Sequence, residues 1–191
     1  VASKSHAGEV KRLILILPVL AVLAGLGVVS CGSAPSEFTV QRTTNDVARW
    51  LKNSSKITWL PRQVSGRYDG ASALDNIRQA SIGQAAKRSS YGTAPGGYVR
   101  LDPRMLRAMR ALAKQGYTFR VTSMAGASHS RTSRHYAGVA FDVDKINGVK
   151  VGYGNPYWRN FLARCRQFGA TEILGPGDRG HSTHIHAAWP R

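Results

Sequence analysis

The stretch FRVTSMAGASHSRTSRHYAGVAFDVDKING, residues 119–148, decides the fold. Phe119, Val121 and Ser123 alternate with polar residues, and Val139, Phe141 and Val143 share one face against Ala140, Asp142 and Asp144 on the other. Alternation with a period of two is the mark of a half-buried strand. Asn147-Gly148 then supplies a two-residue hairpin turn. Upstream, Asp102-Pro103 reads as an N-cap followed by proline at the first helical position, and Met105, Leu106, Met109 and Leu112 recur at helical spacing until Gly116. Downstream, a second helix runs from about Pro156 to Phe168 with Trp158, Phe161, Leu162 and Cys165 inward, and Gly169 ends it. Glu172 to Leu174 and His184 to Trp189 read as closing strands. The order predicts an α+β domain, a small antiparallel sheet flanked by helices. Further upstream, Thr44 or Asn45 is expected to cap a helix carrying Val47, Trp50 and Leu51, while Ser65 to Gly97, rich in Gly, Ser and Ala, shows no assignable period.

The whole chain has 191 residues, 42% of them hydrophobic, and a formal net charge of +17. That is enough for one domain with a real core and too much apolar and aromatic content for a disordered chain. Two cysteines 134 positions apart, Cys31 and Cys165, exclude a zinc finger, an iron–sulfur site and a disulfide framework, so any metal must be held by histidine and carboxylate. Residues 1–30 read as an export signal: Lys4, Lys11 and Arg12 precede the uncharged run Leu13 to Val29. Val28-Val29-Ser30-Cys31 resembles a bacterial lipobox, which makes Cys31 the lipidation position, residues 31–40 a flexible tether and 41–191 the domain. An uncleaved membrane anchor is the alternative. Either way the domain is expected outside the cytoplasm, tethered to a membrane. Residues 31–191 hold 24 Lys and Arg against 9 Asp and Glu, a net +15. Wall teichoic acids or lipid head groups suit that charge, unless it serves only solubility. Nucleic acid is not expected, because the domain is exported and its cations form no recognisable nucleic-acid motif.

Five of the six histidines fall between His129 and His186, in two segments: Ser133-Arg134-His135-Tyr136-Ala137-Gly138-Val139-Ala140-Phe141-Asp142 and His181-Ser182-Thr183-His184-Ile185-His186. Strand periodicity puts His184 and His186 on one face, ~7 Å apart, with Ile185 turned into the core. A turn at Gly138 can bring His135 back beside Asp142. Two imidazoles and a carboxylate from separate strands make a three-ligand Zn²⁺ site with its fourth position open, which points to catalysis rather than to structural stapling.

Ser-x-His-x-x-Gly-x-Ala-x-Asp followed by His-x-His resembles the zinc D-Ala-D-Ala carboxypeptidase and murein endopeptidase family, whose fold is shared with the amino-terminal domain of hedgehog proteins. The likeness covers roughly residues 100–190. It implies that His135, Asp142 and His186 hold one zinc ion, that His184 is the catalytic base or acid, and that His181 is a second active-site imidazole. Thr183 stands where other members carry a glutamate base, so the histidine version of the site is the consistent one. The implied activity is that of a zinc metallopeptidase acting on peptidoglycan stem peptides or cross-links, as a D,D-carboxypeptidase or an endopeptidase. A zinc-containing, non-catalytic, envelope-binding lipoprotein is the alternative.

Many members follow the strand before the first motif with Ser-Gly-x-Arg-Ser, whose arginine helps hold a substrate carboxylate. Here Thr122-Ser123-Met124-Ala125-Gly126-Ala127 carries none, so Arg131 and Arg134, with Ser133 between them, are the candidate substrate-binding residues. His181, Arg131 and Arg134 are equally candidates for stabilising an oxyanion. His129 lies outside the motif spacing and reads as a loop histidine without a ligand role. Asp144 is either a partner of His135 or solvated, Glu172 a strand-edge charge, and Cys165 a small core residue.

Overall fold

A computed structural model of the chain describes residue 1 and residues 36–191. The signal at 1–30, Cys31 and the first part of the 31–40 tether lie outside the described residues. No helix among the described residues is long and apolar enough to cross a membrane.

Helix α1 spans Glu37–Asn53 and is capped by Ser36, whose Oγ accepts from Thr39 N. It therefore begins inside the stretch read as tether. Thr44 and Asn45, the expected caps, lie mid-helix, where Thr44 Oγ1 donates to the Val40 carbonyl at 2.7 Å and Asn45 Oδ1 accepts from Gln41. Strand β1 (Ile57–Trp59) follows, then α2 (Ala73–Ser81), opened by a reciprocal capping box between Ser72 and Asp75. Strands β2 (Ala86–Lys87) and β3 (Tyr98–Val99) form a separate short ladder, so the stretch without a readable period, 65–97, holds α2 and β2, and β3 follows directly after it. Helix α3 spans Pro103–Lys114 with Asp102 as N-cap and proline in its first turn, as the sequence predicts.

Strands β4 (Phe119–Ser123), β5 (Ala140–Ile146), β6 (Val149–Lys150), β7 (Glu172–Leu174) and β8 (Ile185–Ala188), with helix α4 (Trp158–Gln167), complete the domain. The main sheet has the order β1-β4-β5-β8-β7, and β6 pairs with the end of β5 across the Asn147-Gly148 turn. The α+β class holds, but the sheet is mixed rather than antiparallel: β1 runs parallel to β4. Between those strands the chain carries α2, the β2–β3 ladder and α3, the long crossover that a parallel pair requires. A three-residue strand offers too few positions for alternation to reveal it in the sequence.

The two faces of the central strands have different fates. Phe119, Val121, Phe141, Val143, Ile185 and Ala187 enter one core with Leu106, Met109 and Leu112 of α3 and Phe161, Leu162 and Cys165 of α4. The Phe161 ring meets Phe119 and Tyr117 edge-on, each at a centroid distance of 5.2 Å. The other face presents Arg120, Thr122, Asp142 and Asp144 to a cleft. The β4–β5 register skips Asp144 and then Thr122, two irregularities placed at residues that line the cleft. Bulges re-aim side chains in this way at sites and sheet edges.

Phe161→Ala should cost about 3–5 kcal/mol in urea unfolding, because it empties a ring-sized space beneath β4. Exposed Asn160→Ala should stay within about 0.5 kcal/mol. Similar losses from the two substitutions would contradict the assignment of α4's inward face.

Candidate metal centre

Local backbone chemistry brings His135 to the sheet. Ser133 Oγ accepts from His135 N at 3.2 Å, and Gly138 N donates to the His135 carbonyl at 2.9 Å. Gly138 has φ 72° and a Cβ there would lie 2.6 Å from the Arg100 carbonyl, so the turn needs glycine. Beyond it the chain enters β5, where Asp142 is the direct cross-strand partner of His186 on β8. Such partners point to the same face with their Cβ atoms ~5 Å apart.

Three donor atoms converge as a result. Asp142 Oδ1 lies 2.9 Å from His186 Nδ1 and 3.1 Å from His135 Nε2, and the two ring nitrogens are 3.0 Å apart. All three side chains are buried. Ligand atoms around a tetrahedral zinc ion at ~2.0–2.1 Å stand ~3.3 Å from one another, close to the size of this triangle. His135 Nδ1–H donates to the Met124 carbonyl at 2.6 Å, which leaves a lone pair on Nε2 of the neutral ring. A lone-pair nitrogen, a second imidazole nitrogen and a carboxylate oxygen around one point need a cation among them. A proton can bridge one edge, whereas a divalent metal satisfies all three.

The electrostatics agree. Burial works against the charge on Asp142, yet His135 and His186 hold its pKa well below the usual carboxylate range. Burial also opposes a charged His135, and the Asp142 carboxylate outweighs it and raises the imidazole's pKa. The triangle thus draws positive charge into a buried place.

His129 lies in a loop, as its spacing suggests, but it is packed against the triangle. Its ring stacks on His135 with centroids 3.9 Å apart and planes within 12°. Nδ1–H donates to the Gly126 carbonyl at 2.8 Å. Burial, with His135 adding to it, pushes its pKa down to about 4, so the ring is neutral. His129, His135 and Asp142 form a group that could hold a metal ion, with ligand atoms all within 4.8 Å of one another. Two sets of three therefore share His135 and Asp142. The His186 set has the shorter edges, 2.9–3.1 Å. His129 stacks beside it as part of the cleft wall.

The histidines of the second segment gather here too. The His181 ring lies 4.8 Å from that of His184 and 6.0 Å from that of His186. Its Nδ1–H donates to the Arg179 carbonyl. His184 is half-buried, its pKa lowered by burial, and it lines a cleft of about 490 Å³ together with His129, Asp142 and Thr183. Glu172 is more than a strand-edge charge: Oε1 lies 3.2 Å from His186 Nε2, though not aligned as a hydrogen bond, and Oε2 lies 3.5 Å from Arg134 Nε. Asp144 turns away from His135 and forms a bidentate pair with Arg120, at 2.7 and 2.5 Å. Arg131 is exposed.

Sequence reasoning missed the support beneath the two stacked rings. The carbonyls of Met124 and Gly126 that orient His135 and His129 belong to a loop pinned by Asn76 of α2, whose Oδ1 accepts from Ala125 N at 2.9 Å. A Cβ on Gly126 would lie 1.9 Å from the Ala71 carbonyl, so only glycine lets the loop approach α2 this closely. Asn76 carries no motif, and it falls in the stretch whose period could not be read.

No family model, curated protein or solved structure matches the chain.

Competition with a chromophoric chelator should show one zinc ion held tightly by the full chain. His135→Ala, Asp142→Ala and His186→Ala should each abolish it, whereas His129→Ala should weaken it by about 10–100-fold, as expected for a group that orients a ligand. Retention by His186→Ala with loss in His129→Ala would transfer the third ligand to His129. Gly126→Ala should weaken zinc binding as well, because it displaces both orienting carbonyls.

Proposed function

We propose that the chain is a zinc-dependent peptidase that hydrolyses peptidoglycan stem peptides or cross-links, tethered outside the cytoplasm through lipid on Cys31. The observation that carries the reading is the converging triangle of His135, Asp142 and His186, placed beside a cleft whose wall includes His184. The choice of peptidoglycan rests on the resemblance of the two histidine motifs.

His135, Asp142 and His186 would hold the zinc ion, with the Met124 carbonyl orienting His135 and the Glu172 carboxylate lying beside His186. Bound there, zinc supplies Lewis acidity, polarising a carbonyl oxygen and acidifying water. His184 is the group for proton transfer: a half-buried imidazole on the cleft wall, able to take a proton from the attacking water and return it to the leaving amine. His181 stands next to it as a second imidazole. The cleft, about 490 Å³, would take part of a peptide and exclude part of the solvent.

The cations near the cleft favour an endopeptidase. A carboxypeptidase must pair a terminal carboxylate with a cation or several hydrogen bonds. Arg120 lines the cleft but is committed to Asp144, and Arg134 points to Glu172. Lys150, exposed at the rim, is the remaining cation on the wall. An endopeptidase needs no such contact, because its substrate continues past the cut.

Full-length protein incubated with purified muropeptides, with products identified by mass spectrometry, should cut a cross-linked dimer faster than it releases terminal D-Ala from a monomeric pentapeptide. His184→Ala should keep its zinc and lose about 10²–10⁴-fold in rate. The opposite substrate preference would overturn the endopeptidase assignment. No cleavage of any muropeptide by zinc-loaded protein would leave a non-catalytic zinc domain.

A further inference from the structure

The carboxylates of residues 36–191 are largely committed to structure. Asp142 belongs to the triangle, Asp144 to Arg120, Asp102 to the cap of α3 and Asp75 to the capping box of α2, while Asp69 and Asp178 accept from backbone N–H groups. The excess of cations is left for the surface, and it is not spread evenly there. Helix α3 has no acidic residue and carries Arg104, Arg107, Arg110 and Lys114, at successive spacings of three, three and four. At 3.6 residues per turn these four fall within an arc of about 120° and make a stripe ~15 Å long.

The stripe lies opposite the core side of the helix, which turns Met105, Leu106, Met109 and Leu112 wholly inward; Arg104, Arg107 and Lys114 are exposed and Arg110 is half-buried. Of its four cations only Arg104 meets a carboxylate among the described residues, its own cap Asp102. Arg104 and Arg107 border a groove of about 340 Å³ with Ala108, Ala111 and Phe168, the residue that ends α4. Arg164, exposed on α4, lines a separate depression with Gln115 and Gly116, just past the C-terminal end of the stripe. Helices α3 and α4 pack on the apolar face of the sheet, whereas the cleft opens on the polar face. A ligand on the stripe therefore leaves the cleft clear.

The chemistry of the groove selects among polyanions. A bilayer surface is best held by cations together with apolar side chains that insert, yet α3 itself exposes no large apolar residue, and of those exposed on other elements Trp50 comes near only its C-terminal end, at Ala113. Single-stranded nucleic acid wants aromatic platforms for its bases; α3 carries no aromatic ring, and Phe168, the one ring among the residues lining this groove, is half-buried. A linear phosphodiester chain without bases needs only a row of cations along a helix face, here opening at one end onto the groove at Arg104 and Arg107. We propose that the α3 stripe is a docking track for a linear poly(polyol phosphate), held by Arg107, Arg110 and Lys114 with Arg104 and Arg164 beside them. The track is independent of the proposed peptidase activity.

The test is binding of soluble poly(glycerol phosphate) to the full chain, followed by calorimetry over a range of salt concentrations. Affinity should fall steeply with salt. Arg107→Gln/Arg110→Gln/Lys114→Gln should bind roughly tenfold or more weakly at low salt and lower the slope of log affinity against log salt by ~2–3, as expected when about three phosphate contacts are lost. Its zinc content should be unchanged. Arg62→Gln/Arg67→Gln/Arg179→Gln removes the same charge from exposed positions elsewhere and should bind nearly as the parent does. If the triple variant failed to fold, Arg107→Gln and Arg110→Gln singly would carry the comparison. Equal weakening by both triple variants would overturn the track, and so would tighter binding to anionic vesicles or to single-stranded DNA than to poly(glycerol phosphate).

Discussion

Three buried atoms, His135 Nε2, Asp142 Oδ1 and His186 Nδ1, stand within 3.1 Å of one another, and much of the local architecture exists to keep them there. Without a cation such an arrangement would be repulsive in a medium where water cannot screen it. Strand register sets one edge of the triangle, because Asp142 and His186 face each other directly across β5 and β8. The Gly138 turn sets the other two by returning His135 to the start of β5. A slip of one residue in the β5–β8 register would turn Asp142 or His186 toward Phe161 and Leu106, into an apolar core that cannot hold them.

The support extends outward in layers of backbone chemistry. The Met124 and Gly126 carbonyls orient His135 and His129, Asn76 holds the loop that carries those carbonyls, and the Ser72–Asp75 capping box starts the helix on which Asn76 lies. Glu172 and Arg134 approach the triangle from the β7 side. Asp144, by contrast, is tied to Arg120, which takes the one arginine on the cleft wall out of use for binding a substrate carboxylate. The pattern joins a rigid, histidine-rich floor to a cleft poor in free cations, while a separate basic stripe lies on the helical side of the sheet.

How much of this was legible in the sequence depended on how much chain each feature occupies. Strands β4 and β5 and helices α3 and α4 are long enough for their apolar residues to show a period, and Asp102, Gly116 and Gly169 punctuate them clearly. His135, Asp142, His181, His184 and His186 are readable because two short motifs hold them at fixed spacings. Strand β1 escaped because three residues show no alternation, and with it the parallel pairing was lost. Helix α1 was entered too late because Ser36, a plain N-cap, looked like part of a polar tether. His129 and Asn76 were hidden for a different reason. Their roles come from stacking and from a hydrogen bond across 49 positions, which no local pattern encodes.

The convergence of His135, Asp142 and His186 on one metal ion is tested most directly by zinc K-edge X-ray absorption on the zinc-loaded full chain. The account predicts a shell of nitrogen and oxygen only, at ~2.0–2.1 Å, with the outer scattering of two imidazole rings. A sulfur shell at ~2.3 Å, or loss of one imidazole's scattering in His129→Ala but not in His186→Ala, would contradict it.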